Sequence, residues 1–196
     1  MSRTSLASLV LAAFTLSSCG DEGPIAVSTY KGPMQDGSIV VSSSAFAPGG
    51  RIPKEFAHDD EGENRSPPLS WSGVPDGAKE VAIVVDDPDA PGLKPFVHWL
   101  MWRIPASTTS IPARFSAGAR ALEDARGPLQ GTNDFPEPGW GGPLPPKRSG
   151  VHHYRFWVNA LDAPVTLPSG ATYAQLVAAM KGHVLAQGFV VGTYER

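Results

Sequence analysis

Asp87, His98, His152 and Tyr154 are the side chains in this sequence whose types could do chemistry together. A carboxylate can orient an imidazole and favour its charged form, imidazoles are hydrogen-bond donors that strengthen on protonation, and a phenol adds a hydroxyl. Such a set could donate hydrogen bonds to a small anion, binding it more tightly at mildly acidic than at alkaline pH. Each group lies in line with large apolar residues when its segment is divided into alternating faces. One face carries Val81, Ile83, Val85 and Asp87; a second carries Phe96, His98, Leu100 and Trp102; a third carries His152, Tyr154 and Phe156. On buried faces all four groups need partners, because an unpaired buried charge is very costly. Each could instead be an isolated polar residue bonded to a loop backbone, but jointly they point to one shared cavity. Asp86, His153 and Arg155 fall on the opposite faces, where solvent or ion pairing accounts for them.

The elements that must position these groups are mostly strands. Ile39–Phe46, Val81–Asp87, Phe96–Trp102 and Val151–Leu161 have strand patterning, with a short final strand at Phe189–Tyr194. Arg51–Trp71, with clustered Asp, Glu, Gly, Asn and Pro, is mostly loop. Thr172 and Gln175 have the spacing of a capping box, and Leu176, Met180 and Val184 follow at helical intervals, with Gly182 as a break. Residues 113–150 hold 7 Gly and 6 Pro among 38 residues, a length of irregular chain that is uncommon unless it builds a site. The class is mainly β with minor helix.

Composition narrows the function. The chain has 196 residues, 41% of them hydrophobic, and a formal net charge of −3. That is too apolar for disorder and gives no electrostatic reason to expect nucleic acid as a partner. Near the N-terminus, Arg3 precedes an apolar run from Leu6 to Leu16, too short for a membrane span. Leu16-Ser17-Ser18-Cys19 follows and resembles a bacterial lipoprotein signal. The expectation is a signal peptide over residues 1–18, a lipidated Cys19 with a flexible tether over 19–37, and one domain over 38–196. The protein would then be membrane-anchored, facing the periplasm or exterior, with Gly20 compatible with the outer membrane. Cys19 is the single cysteine, so a disulfide within the domain is excluded.

Asp87-Pro-Asp-Ala-Pro91, His98-Trp99, Gly142-Pro-Leu-Pro-Pro146 and Gly150-Val-His152-His-Tyr154 together resemble the signature of the phosphatidylethanolamine-binding protein family, in its bacterial Raf-kinase-inhibitor-like branch. Ile52-Pro53, Ser66-Pro-Pro-Leu-Ser-Trp71, Asn133-Asp134, His183-Val-Leu-Ala186 and Gly192-Thr-Tyr194 agree, so the resemblance spans roughly Ser38 to Arg196. It implies a β-sandwich-like fold, a large antiparallel sheet plus a smaller sheet, with a small anion pocket at one end. The implied ligand-binding residues are Asp87, His98, Gly142, Pro143, Pro145, His152 and Tyr154. The resemblance also makes Ala90–Pro91 a candidate cis peptide and a homodimer a candidate assembly. His153 stands where the family usually has Arg, which puts the support of the Asp87–Pro91 turn in question.

A binding or regulatory role without enzymatic activity, cofactor or metal is expected, the partners being a small anion and the membrane. A protease inhibitor or protein-interaction module is the alternative, using the loop around Phe135 and Trp140 or the acidic stretch Asp59–Glu63. Trp140 suits packing on the sheet or covering the pocket better than partner contact. A metal-dependent hydrolase built on Asp87, His98 and His152 is a further alternative, although no hydrolase motif occurs and the converging groups lack a nucleophile. His58 has no partner visible in the sequence and His183 reads as a structural hydrogen-bonder; neither joins the site.

Overall fold

Val81-Ala-Ile-Val-Val85 is apolar at both parities, which suits a strand covered on both faces. In the computed structural model, which describes residues 39–115 and 127–196, this run is the centre of β3 (Glu80–Asp87), buried throughout. The signal, Cys19 and the tether lie outside the described residues.

β3 sits between β4 (Phe96–Pro105) and β7 (His152–Leu161). β6 (Leu129–Gln130) and β8 (Val184–Tyr194) complete a five-stranded sheet in the order β6-β4-β3-β7-β8. A smaller sheet contains β1 (Val40–Ser42), β2 (Leu69–Ser72) and β5 (Ser110–Ile111) in the order β1-β2-β5. All pairings within both sheets are antiparallel.

Between the sheets lies one apolar core, to which the large sheet contributes Val81, Ile83, Val85, Trp99, Met101, Phe156 and Val158. The small sheet and its flanks add Ile39, Val41, Leu69, Trp71 and Ile111. On the other face, α1 (Tyr173–Met180) packs Leu176 and Met180 with Ala82, Val84, Leu100 and Trp102. Its N-terminus has the expected reciprocal cap: Gln175 Oε1 accepts from the Thr172 amide, and Thr172 Oγ1 from the Gln175 amide. The helix ends before Gly182 (φ +81°), so Val184 opens a strand instead of continuing the apolar stripe.

Several boundaries differ from the patterning. The first strand covers three residues of the Ile39–Phe46 run, β2 is an alternating Leu-Ser-Trp-Ser at the end of a stretch read as mostly loop, and β5 is only two residues long. β8 is eleven residues long and pairs with β7 along its length, although the sequence suggests only its second half. Gly188 hides the rest: a Cβ there would stand 1.7 Å from the Ile39 carbonyl oxygen, which crosses the strand at that point.

The face assigned to Phe96–Trp102 is also corrected. Asp86 pairs with Val97 and Val85 with Trp99, leaving His98 as an extra residue in β4. This β-bulge resets the alternation. Val97, Leu100 and Trp102 therefore pack toward α1, while Trp99 joins the core between the sheets and His98 turns to the same side.

Candidate functional site

The antiparallel order β4-β3-β7 brings the end of β3 beside the starts of its two neighbours. Asp87 pairs with Phe96 in register, and Asp86 with Arg155. Three segments far apart in sequence thus deliver Asp87, Phe96, His98, His152 and Tyr154 to one end of the sheet. There they line a cavity of about 260 Å³, closed by Ala90, Pro91, Phe135, Leu144, Pro145 and Pro146.

Asp87 and His152, each no more than 3% exposed, form the base of the site. His152 Nδ1 lies 2.7 Å from Asp87 Oδ2, and Asp87 Oδ1 accepts from the Asp89 amide at 2.8 Å. The second bond folds the Asp-Pro-Asp turn onto its own carboxylate. All described peptide bonds are trans, Ala90–Pro91 included, in contrast to the cis expectation; the Asp87 side chain closes the turn in that form. On the far side of the ring, His152 Nε2 is 2.9 Å from Ser149 Oγ.

His98 is held differently. Its Nδ1 lies 2.6 Å from the Gly141 carbonyl, which can only accept, so Nδ1 carries the proton. The Gly141 amide returns a bond to the His98 carbonyl at 2.9 Å. Burial depresses the imidazole to about 4, against the pull of the Gly141 carbonyl and of Asp87 and Asp134. His98 is consequently a neutral ring with Nε2 as an acceptor. Tyr154 meets it edge-on at 5.0 Å between centroids. The Tyr154 hydroxyl is buried without a hydrogen-bond partner among the described residues. Burial and the nearby Asp87 and Asp89 charges push its pKa well above the usual phenol range, so the O–H stays intact.

Of the other three residues named from the sequence, Gly142 and Pro143 stand behind the cavity wall. The Gly142 amide donates to Asn64 Oδ1 at 2.8 Å, and a Cβ on Gly142 would come within 2.4 Å of the Phe56 carbonyl oxygen and the His58 amide nitrogen. Glycine is required there for the 139–146 segment to dock. The Pro143 carbonyl accepts from the His58 amide at 3.2 Å. Pro145 reaches the cavity, and its carbonyl is held by Arg196 Nε at 2.8 Å.

His153 supplies support to the turn: its amide and Nδ1 both reach Asp89 Oδ2, at 2.8 and 2.7 Å. Although partial desolvation opposes it, hydrogen bonding from His153 holds the Asp89 carboxyl below its ordinary range. On the same outer side, Arg155 makes two bonds to buried Asp86, at 2.8 and 2.6 Å. Burial nevertheless raises the Asp86 carboxyl, with Arg155 offsetting part of the effect.

The loop around Phe135 and Trp140, a candidate partner surface, turns both rings inward, Trp140 onto the sheet as expected. Phe135 lines the cavity against Phe96 and His98, while Trp140 is 4% exposed and stacks on Phe156. Buried Asn133 builds the loop that carries Phe135, accepting from the Phe135 and Glu137 amides and donating to the Gly139 carbonyl. His58 has partners after all: it stacks on Phe135 at 4.6 Å, with Nδ1 2.7 Å from Asp59. The acidic stretch is paired locally, Glu61 with Lys54 and Glu63 with Arg65. His183 bonds to Asp162. Sequence reasoning missed Leu144 and Phe96 as lining residues, although both lie inside stretches it had singled out. Ser149, not singled out in the sequence, places its hydroxyl 2.9 Å from His152 Nε2.

Both oxygens of Asp87, both nitrogens of His152 and Nδ1 of His98 make the contacts above, and these three residues do not bring one donor atom each within 4.8 Å of one another. Among the described residues, donor atoms of three His or acidic groups gather within 4.8 Å only at His58, Asp59 and Asp60, in an exposed loop.

A two-sheet sandwich with a preformed, largely aromatic cavity and a few convergent polar groups has the build of a small-ligand-binding domain. Comparison with known proteins gives the family. The model described as phosphatidylethanolamine-binding protein matches residues 42–195, and the chain belongs to that family. It is 44% identical over 156 residues to a UPF0098 protein of Methanothermobacter thermautotrophicus, covering 80% of this chain and 98% of that one. A Mycobacterium tuberculosis protein named as a candidate lipoprotein, LppC, is 38% identical over 80% of this chain and 72% of its own length. Among solved structures, Escherichia coli YBCL, described as a new member of the mammalian family, matches with a TM-score of 0.75 at 33% identity. That match covers 81% of this chain and 99% of YBCL.

Proposed function

We propose that this protein captures a small oxyacid, a phosphate monoester head group or a carboxylic acid, in a binding or regulatory role outside the cytoplasm. The observation that carries the reading is the pairing of two unlike polar groups on the cavity wall. The Tyr154 hydroxyl is free to donate, and neutral His98, with Nδ1 committed to Gly141, is free to accept. A singly protonated oxyacid matches both, giving its O–H to His98 Nε2 and taking the Tyr154 proton on another oxygen. Phe96, Phe135 and Leu144 exclude water and accommodate whatever apolar part the ligand carries. The export reading rests on the Arg3, Leu6–Leu16 and Cys19 pattern and on the name of the LppC relative.

Because His98 stays neutral to about 4, the acid preference expected from imidazole protonation moves to the ligand. Phosphate monoesters, whose second pKa is about 6, should bind more tightly at pH 5 than at pH 8. Calorimetry with phosphoethanolamine, inorganic phosphate and acetate across that range tests the reading on wild type and Tyr154→Phe. Phosphate binding that strengthens toward pH 8, or an affinity unaffected by loss of the hydroxyl, would overturn it.

A further inference from the structure

Ser149 ends a chain of hydrogen bonds that begins in the core. Asp87 Oδ2 lies 2.7 Å from His152 Nδ1, and His152 Nε2 lies 2.9 Å from Ser149 Oγ. The two inner members are buried, at 2% and 3% exposure, whereas Ser149 is exposed to solvent. The order of atoms is decisive. A carboxylate on Nδ1 selects the tautomer whose Nε2 carries a lone pair, and that lone pair faces a hydroxyl. Such a constellation is defined by geometry and not by chain order, so Asp87, Ser149, His152 is as acceptable a sequence of parts as any other.

We propose that Ser149 is a nucleophile, activated by His152 and oriented through Asp87, that takes an acyl group from small esters at the cavity mouth. Ser149 Oγ bonds to two residues of the cavity wall, His152 and, at 2.7 Å, the carbonyl of Pro146. The hydroxyl proton has these two acceptors. When it lies toward Pro146 the serine is at rest; when it lies toward Nε2 the oxygen is primed. In the acylation step Oγ bonds to the ester carbonyl carbon as its proton passes to Nε2. The bond from that carbon to the alcohol oxygen then breaks, and the departing alcohol takes the proton from Nε2. Water repeats the path in reverse, releasing the acid and restoring the serine. The neighbouring Gly150 amide makes no hydrogen bond among the described residues and is the nearest donor along the chain for the developing oxyanion. A cavity of about 260 Å³ walled by Phe96, Phe135 and Leu144 selects short apolar acyl groups. This activity rests on the hydrogen-bond chain and is independent of which oxyacid the cavity holds.

The test is covalent labelling of purified full-length protein in detergent with an alkyl fluorophosphonate, the adduct being located by peptide mass spectrometry. It is paired with hydrolysis of p-nitrophenyl acetate and butyrate. The expected result is an adduct on Ser149, absent in Ser149→Ala, with turnover in that variant falling to the buffer rate. His152→Gln should slow labelling by about 100-fold or more, the scale of a lost general base. A merely exposed serine would label equally with or without the imidazole. Asp87, a positioning residue, should show its effect as a displaced pH profile of turnover in Asp87→Asn. No adduct after exhaustive exposure, an adduct elsewhere, or undiminished turnover in Ser149→Ala would overturn the proposal. Should His152→Gln fail to fold by circular dichroism, the exposed Ser149→Ala substitution decides the matter by itself.

Discussion

His98 Nδ1 and the Gly141 carbonyl oxygen meet at 2.6 Å, tying the extra residue of a β-bulge to the loop that closes the cavity. One backbone irregularity therefore sets both the direction of the imidazole and its protonation state. The bulge turns the ring away from α1, and the carbonyl fixes the proton on Nδ1 while burial keeps a second proton off Nε2.

Stability should follow from this. The folded His98 pKa of about 4 lies below the ordinary 6.5, so the unfolded chain binds more protons between those values. The stabilisation is fully present above about pH 6.5 and is lost as pH falls toward 4. On the order of 3 kcal/mol should disappear from wild type over that window and be retained by His98→Gln. Urea unfolding of both proteins at pH 7 and pH 4 measures the difference, and parallel pH profiles would refute the assignment.

Asp86 is 1% exposed and relies on two bonds from Arg155. Arg155→Met should cost about 3–5 kcal/mol, because it leaves a buried carboxylate without its counter-charge. Adding Asp86→Leu should recover most of that loss, since the pair is then replaced by apolar packing. A single substitution costing under about 1 kcal/mol in denaturant titrations would mean that water reaches Asp86.

Tyr154→Phe separates binding from folding. The hydroxyl has no hydrogen-bond partner among the described residues, so removing it should change stability by less than about 1 kcal/mol. Phosphate affinity should nevertheless fall at least about fivefold, the equivalent of one neutral hydrogen bond. Thermal unfolding with and without phosphate gives both quantities.

Gly142→Ala should affect folding and binding together. Its Cβ would lie 2.4 Å from two backbone atoms that cannot move without displacing the 56–58 turn. We expect a loss of about 1–3 kcal/mol, together with weaker ligand binding as the 139–146 segment lifts away. Hydrogen exchange at the Gly141 and Gly142 amides should accelerate; unchanged protection would show that the loop tolerates the side chain.

His153 and Asp89 offer a milder test. Their side chains are about half exposed, so His153→Ala should cost under about 1 kcal/mol. The Asp89 carboxyl should rise toward its ordinary value, an NMR-observable change. His153→Arg should keep the turn in place by giving Asp89 a cationic donor.

Much of this molecule was legible in one dimension because its information is local. Alternation along Val81–Asp87 and His152–Phe156 placed Asp87, His152 and Tyr154 on inward faces, and Thr172 with Gln175 announced the helix start. Motif spacing carried the family. Other features depend on a neighbouring strand or loop. The bulge at His98 exists only in the pairing of β4 with β3, so alternation within Phe96–Trp102 assigned Leu100 and Trp102 to the wrong face. β5 and β6, two residues each, have no pattern of their own, and Gly188 is explained by a carbonyl from the other end of the domain. Phe135 was open to a surface reading because loops usually are, whereas the Asn133 side chain folds that loop inward; Trp140 packs on the sheet, one of the two places expected for it.

Residue types and short spacings thus defined which groups could take part in chemistry, since alternation and capping act over a few residues. Their protonation states, the partnership of His152 with Ser149 and the division between cavity wall and supporting backbone were set by folding. Those properties depend on burial and on backbone geometry, and for His152 and His98 on partners brought from distant positions, Asp87 and Gly141, which no local pattern encodes.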